Sequence, residues 1–256
     1  MQLEGRKALV TGARRSIGRG IAQALAEAGC DVAINDLECD ADAEATLALI
    51  RQAGREAIFL RADLAQAAQV AEMFGACIDR FGRLDILVNN AYWAASFPFP
   101  EIPEEVWDRT LGVSLKGYFL CAQEAARAMI RQGDGGCIVS ISSVHAQRVW
   151  PADTCYGVAK AGILRLTQSM AVDLGPHGIR CNAVLPGYMQ TDHLFGSPAP
   201  AGGSLPEPLQ RFIPTRRRGT PEDIGRAVVF LCSPAGADIT GVSLPVDGGL
   251  LATGVP

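Results

Sequence analysis

Between Ser142 and Lys160 the chain reads Ser-Ser-Val-His-Ala-Gln-Arg-Val-Trp-Pro-Ala-Asp-Thr-Cys-Tyr-Gly-Val-Ala-Lys, a stretch rich in groups that move protons. Tyr156 and Lys160 stand four apart in a segment, Cys155 to Leu174, whose Val158, Ile163, Leu166 and Met170 recur at helical spacing. The pair therefore shares one helix face. A free tyrosine hydroxyl titrates near 10, so acting as acid or base around neutrality requires about 4 kcal/mol of added preference for the phenolate. A lysine ammonium one turn away is a source of that preference. The same spacing also occurs as plain surface cover, so the elements around the pair must decide.

Short β-like runs, Lys7–Thr11, Asp31–Asn35, Glu56–Arg61, Asp85–Asn89, Cys137–Ile141, Arg180–Leu185 and Val242–Val246, alternate with longer stretches of helical period. That alternation predicts an α/β chain: a single Rossmann-like doubly wound domain over residues 1–256, with a parallel sheet of about seven strands and helices on both faces. Ligands of such sheets sit at the carboxyl ends of the strands. The first two runs flank a helix candidate, Ile17 to Ala28, and the turn between reads Thr11-Gly12-Ala13-Arg14-Arg15-Ser16-Ile17-Gly18-Arg19-Gly20. Glycines there let the backbone turn tightly and approach a pyrophosphate, whose charge the helix N-terminus receives. Asp36 follows directly on the second run, where a carboxylate accepts hydrogen bonds from the hydroxyls of an adenosine ribose.

With 256 residues, 48% hydrophobic and 20% charged, the chain can bury a sizeable core. Its formal net charge of −4 and pI near 5.4 argue against a nucleic-acid binder held by phosphate contacts. The run Arg216-Arg217-Arg218 reads as a solvated turn. Eight cysteines form no C-x-x-C pair and mostly sit in apolar runs, so free thiols in a cytoplasmic protein are expected. The stretch before Ala8 leaves no room for a signal peptide, and no apolar run approaches the roughly 18 residues of a membrane span. His145, His177 and His193 lack ligand spacing with a cysteine or carboxylate, so no catalytic metal is expected.

Thr11-Gly12 to Gly18, Asn89-Asn90-Ala91, Ser143, Tyr156-x-x-x-Lys160 and Pro186-Gly187 fall in the order and spacing of the short-chain dehydrogenase/reductase family, and the resemblance spans nearly the whole chain. It implies that Tyr156 is the general acid/base, that Lys160 lowers its pKa and holds the nicotinamide ribose, and that Ser143 hydrogen-bonds the reacting oxygen. It also implies cofactor contacts at Gly12, Arg15, Ser16, Ile17, Gly18 and Asp36, at Asp63 and Leu64 by the adenine, and at Asn90, with Asn89 a structural asparagine. Pro186, Gly187 and Tyr188 would border the nicotinamide, with Thr191 reaching its carboxamide. Residues 188–220, broken by Pro198, Pro200, Pro206, Pro208 and Pro214, resemble the family's substrate lid. Helices Val106–Ile130 and Cys155–Leu174, together with Leu244–Gly249, would join copies into a homodimer or homotetramer.

Three positions depart from the family pattern. Ser16 replaces the middle glycine of the phosphate turn. Ser114, in Val113-Ser114-Leu115-Lys116-Gly117, replaces an active-site asparagine that in relatives distorts the helix to support a proton relay; a serine can also bond to the backbone and bend a helix. Tyr92 replaces a glycine, so Tyr92 and Trp93 narrow the pocket mouth.

The choice between NAD and NADP turns on Asp36 against Arg14 and Arg15. A 2′-phosphate about 4 Å from a carboxylate costs on the order of 4 kcal/mol per unit charge at an effective dielectric of 20, and an exposed arginine returns at most about 1 kcal/mol. NAD is therefore expected, with NADP the alternative. Residues beside Ser143 are polar or aromatic, His145, Gln147, Arg148 and Trp150, with Trp93 at the mouth and His193 on the lid. A fatty-acyl or steroid pocket would be more apolar. The run from Ser142 to Trp150-Pro151 resembles that of bacterial glucose dehydrogenases in the family, which implies oxidation of a sugar or polyol, such as an aldose at C1 to its lactone. A 3-oxoacyl carrier-protein reductase using NADPH is the enzymatic alternative, and an NAD-sensing regulator without catalysis is the alternative of another class.

Overall fold

Strands buried on both faces read as near-continuous apolar runs, and seven runs form one sheet, the five inner ones buried and the two edge ones half-buried. The computed structural model describes residues 3–191, 193–194, 197–198 and 211–253. Its strands are β1 (Lys7–Thr11), β2 (Asp31–Asp36), β3 (Ala57–Arg61), β4 (Ile86–Asn89), β5 (Gly136–Ile141), β6 (Ile179–Pro186), a small hairpin of β7 (His193–Leu194) and β8 (Ser197–Pro198), and β9 (Ser243–Val246). The seven-stranded sheet has the order β3-β2-β1-β4-β5-β6-β9, and every pair in it is parallel. The predicted strands are all present, with ends moved by a residue; β2 runs one further, to Asp36.

The helices are α1 (Ser16–Glu27), α2 (Ala41–Gln52), α3 (Ala67–Phe81), α4 (Glu104–Leu111), α5 (Gly117–Gln132), α6 (Thr154–Leu174) and α7 (Pro221–Cys232). One face of the sheet is covered through Ile21 and Leu25 of α1, Leu47 and Ile50 of α2, and Ile224 and Val228 of α7. The other is covered through Val70 and Phe74 of α3 and Cys121, Ala125 and Met129 of α5. The sheet is thus doubly wound, and its order reverses between β1 and β4. That reversal opens a crevice at the strands' carboxyl ends, where Thr11, Asp36, Asn89, Ile141 and Pro186 end their strands.

Two local features shape this crevice. Between α4 and α5 the helix widens into a π turn over Gly112–Lys116, closed by Gly117 N–H donating to Gly112 O; such turns recur at functional sites. The expected lid returns to the sheet where Gln190 N–H donates to Gly219 O at 2.8 Å and Gly219 N–H to Tyr188 O at 2.9 Å. Within that lid, residues 192, 195–196 and 199–210 lie outside the described residues. Arg216 and Arg217 are exposed before α7 while Arg218 is half-buried, and Arg217 pairs with Asp223 at 2.6 Å. All eight cysteines are free thiols.

Candidate active site

The turn after β1 is built for close approach. Gly12 has φ +60°, and a Cβ there would lie 2.6 Å from Ala91 Cα; one on Gly18 would lie 2.3 Å from Gly12 O. Asn90 fixes the turn, its Nδ2 donating to Thr11 O and Gly12 O, both at 2.9 Å. Asn90 thus acts by shaping the cofactor turn through its backbone. Ser16 adopts φ 51°, the left-handed region. This explains the family's preference for glycine here, and the serine costs about 1 kcal/mol for it.

Helix α1 begins with no side-chain cap from Arg15 and no acidic residue in its first turn. Its first N–H groups, Ile17 and Gly18 among them, and the positive end of its dipole are left for an anion. The turn and the helix end together fit a dinucleotide pyrophosphate.

At the tip of β2, Asp36 Oδ1 accepts from Leu37 N–H at 2.8 Å. Arg14 lies among carboxylates, Nη1 at 2.6 Å from Asp40 and 3.7 Å from Glu38, Nε at 3.9 Å from Asp36. Its charge is largely answered within the protein. Asp63 receives Arg109 at 2.8 Å and Ala65 N–H at 3.0 Å. Partial burial raises the proton affinity of Asp63, but these two bonds outweigh it and hold its carboxyl below the ordinary range. Leu64 is buried beside it, and Gly117 passes so close that a Cβ would lie 2.9 Å from Leu64 Cβ.

At the reaction end, the tip of β5 meets the start of α6. The hydroxyls of Ser143 and Tyr156 are hydrogen-bonded. Lys160 Nζ lies 5.4 Å from the Tyr156 ring centroid and donates to Ile141 O at 2.8 Å. Asn89, at the end of β4, donates to Tyr118 O at 3.2 Å. Enclosure acts on the charge of both groups. Burial pushes the Tyr156 hydroxyl above its ordinary range, with only the Ser143 bond pulling it down, and burial brings Lys160 down to about 7. Desolvation is the largest influence on each of them.

Beside Ser143 and Tyr156 stand His145 and its partners. The imidazole stacks on Trp150 with centroids 4.0 Å apart and planes 12° apart, and meets Tyr156 edge-on at 5.4 Å. Its Nδ1 is hydrogen-bonded to the Asp153 carboxylate, and its backbone N–H donates to Ser143 Oγ at 3.2 Å. Arg148 departs from its expected role: its Nη2 donates to the carbonyls of Leu251 and Thr253, so the guanidinium holds the 250–253 segment. Trp150 packs with Val144, Tyr188, Ile213 and Leu250.

Ser114 sits fully buried in the π turn, and its hydroxyl accepts from Trp93 N–H and donates to Trp93 O, both at 3.1 Å. It therefore fixes the Trp93 backbone, while Trp93 and Tyr92 are exposed at the mouth and the Tyr92 ring lies 5.9 Å from that of Tyr156. Beyond Pro186, Gly187 N–H donates to Val246 O at 3.2 Å and Thr191 is half-buried. His193 falls in β7, whose side chains lie outside the described residues. Among the described residues no cluster of three His, Cys, Asp or Glu could hold a metal, and no helix is long and apolar enough to cross a membrane.

Two residues of this site were not singled out by sequence reasoning, Tyr118 and Asp153. Tyr118 is one helical turn after Ser114, and Asp153 is three residues before Tyr156; those spacings were the available signals.

The fold and site define a nicotinamide-dependent oxidoreductase of the Rossmann type, and the comparisons agree. A family model described as enoyl-(acyl carrier protein) reductase matches residues 12–251. An L-rhamnose 1-dehydrogenase (NAD(P)(+)) of Sphingomonas is 40% identical over 248 residues, covering 97% of each chain. A 3-oxoacyl-[acyl-carrier-protein] reductase of Synechocystis is 36% identical over 250 residues, covering 97% of this chain and 98% of that one. A short-chain dehydrogenase from Burkholderia cenocepacia, solved in complex with NADP, superposes with a TM-score of 0.90 at 36% identity, covering 98% of this chain and 100% of that one. The chain belongs to the short-chain dehydrogenase/reductase family.

Proposed function

We propose that the chain oxidises a hydroxyl of a sugar or polyol, using NAD, with an aldose at C1 the favoured substrate. The observation that carries the substrate class is the His145 ring, bonded to Asp153, stacked on Trp150 and edge-on to Tyr156. A flat aromatic surface beside a polar ring edge suits a polyhydroxylated substrate better than an acyl chain. The Sphingomonas relative, named as a rhamnose dehydrogenase, supports the same class.

In this reading a bound nicotinamide supplies the hydride acceptor, and the protein handles the proton. Ser143 holds the substrate oxygen, Tyr156 as phenolate takes its proton, and Lys160 as ammonium keeps the phenolate accessible. Pro186, Gly187, Tyr188 and Thr191 border the nicotinamide. The NAD preference rests on Asp36 and on Arg14, whose guanidinium is already engaged by Asp40 at 2.6 Å. Exposed Trp107, Phe119 and Val158 on α4, α5 and α6 would pair with a second copy of the chain.

The test is a turnover screen of the purified chain with NAD and NADP against L-rhamnose, other aldoses, polyols and a 3-oxoacyl thioester, following nicotinamide absorbance. Sugar oxidation that disappears in Tyr156→Phe, with cofactor binding retained, is the expected result. Reduction of the thioester alone, with NADPH, would establish the second reading, which the Synechocystis relative favours.

A further inference from the structure

Tyr118, the second residue of α5, is fully enclosed, and a buried phenol requires hydrogen-bond partners. Its hydroxyl donates to Ile141 O at 3.1 Å and accepts from Lys160 Nζ at 3.4 Å. Nζ also donates to Ile141 O at 2.8 Å, so the three groups close a ring at the tip of β5. An ammonium has three protons; two are spoken for here. The other rings facing Nζ are those of Tyr156 and Tyr92, at 5.4 and 5.9 Å, and no carboxylate pairs with it among the described residues. Ser114, standing where the family has asparagine, has both of its hydroxyl roles committed to Trp93. Tyr118 lies one turn further along the same helical run and hydrogen-bonds to the lysine.

We propose that Tyr118 is a positioning residue for Lys160: its hydroxyl oxygen accepts a hydrogen bond from the protonated amine and keeps Nζ charged and fixed beside Tyr156. The inference rests on the reading in which Tyr156 and Lys160 move the substrate proton. No bond is made or broken at Tyr118. Its own proton is held by Ile141 O and its ring is sealed from solvent, so it is a fixed acceptor and gives protons no route out. An acceptor that bonds to the charged form favours that form. It therefore opposes the burial that brings Lys160 down to about 7.

The chain has three lysines, Lys7, Lys116 and Lys160, so their side-chain carbons can be followed individually. The experiment is a pH titration by NMR of the full chain labelled with 13C-lysine, with Lys160→Met assigning the signal. Tyr118→Phe removes a single oxygen and is expected to lower the Lys160 midpoint by about half a pH unit or more. Turnover of L-rhamnose should fall about tenfold, with cofactor affinity held within about twofold. A Lys160 midpoint unmoved by Tyr118→Phe overturns the proposal, even where that variant melts early. Tyr156→Phe runs in parallel: if it retains turnover, the proton-transfer reading fails, and the lysine titration still decides whether Tyr118 sets the charge of Lys160.

Discussion

Ser142 Oγ donates to the Lys160 carbonyl at 2.8 Å while Lys160 Nζ donates to Ile141 O, also at 2.8 Å. The lysine is thus clamped at its backbone and at its tip to the end of β5. That clamp holds an amine where water would otherwise solvate it.

The consequence for stability follows from the sign of the shift. The amine binds a proton less readily when folded, at about 7, than at its ordinary 10.5. The unfolded chain therefore binds more protons between these values, and stability rises with pH across that window. Below about pH 7 the penalty is complete, on the order of 5 kcal/mol at most. Lys160→Met should unfold at higher urea than the parent at pH 6.5, and its advantage should shrink as pH approaches 10. An advantage independent of pH would contradict the assignment.

Ser16 makes a second stability test. Its φ of 51° suits glycine and strains a β-branched side chain. Ser16→Gly should hold or gain a few tenths of a kcal/mol and keep cofactor binding. Ser16→Val should lose roughly 1–2 kcal/mol and weaken cofactor binding; urea midpoints and cofactor titration read both.

Asp36→Ala removes a carboxylate from the β2 tip and leaves Arg14 with one fewer acidic neighbour, the one 3.9 Å from its Nε. Relative kcat/KM for NADP over NAD should rise at least about tenfold, a change of about 1.4 kcal/mol. An unchanged ratio would show that another residue selects the cofactor.

His145 Nδ1 is hydrogen-bonded to the Asp153 carboxylate; an ionised carboxylate can only accept, so Nδ1 is the donor and, in the neutral ring, Nε2 is left as an acceptor. Asp153→Asn can donate to Nδ1 instead and move the ring proton to Nε2. The KM for a sugar should then rise several-fold, with kcat and the cofactor KM little changed. Equal losses on sugars and on simple alcohols would indicate disturbed packing.

The strands were legible in the sequence because parallel strands are apolar over most of their length, and the clustering of Ser143, Tyr156 and Lys160 because they sit at fixed offsets from strand and helix starts. The conformation of Ser16 was legible only as a missing glycine. Spacing could not show how deeply Lys160 would be enclosed, nor that burial would act on its charge. Nor could it show Tyr118 reaching Lys160, since that contact exists only once α5 has packed across the end of β5. Arg148 looked like a substrate residue because the carbonyls that claim it lie 103 and 105 residues away.

That last contact bears on attempts to borrow this specificity. The loop carrying His145, Arg148 and Trp150 is braced from behind by Leu250, Leu251 and Thr253, and from the side by Ile213. A chimera that grafts residues 143–153 onto a relative would transplant the wall without its buttress. To carry the preference across, residues 212–213 and 250–253 would have to travel with it.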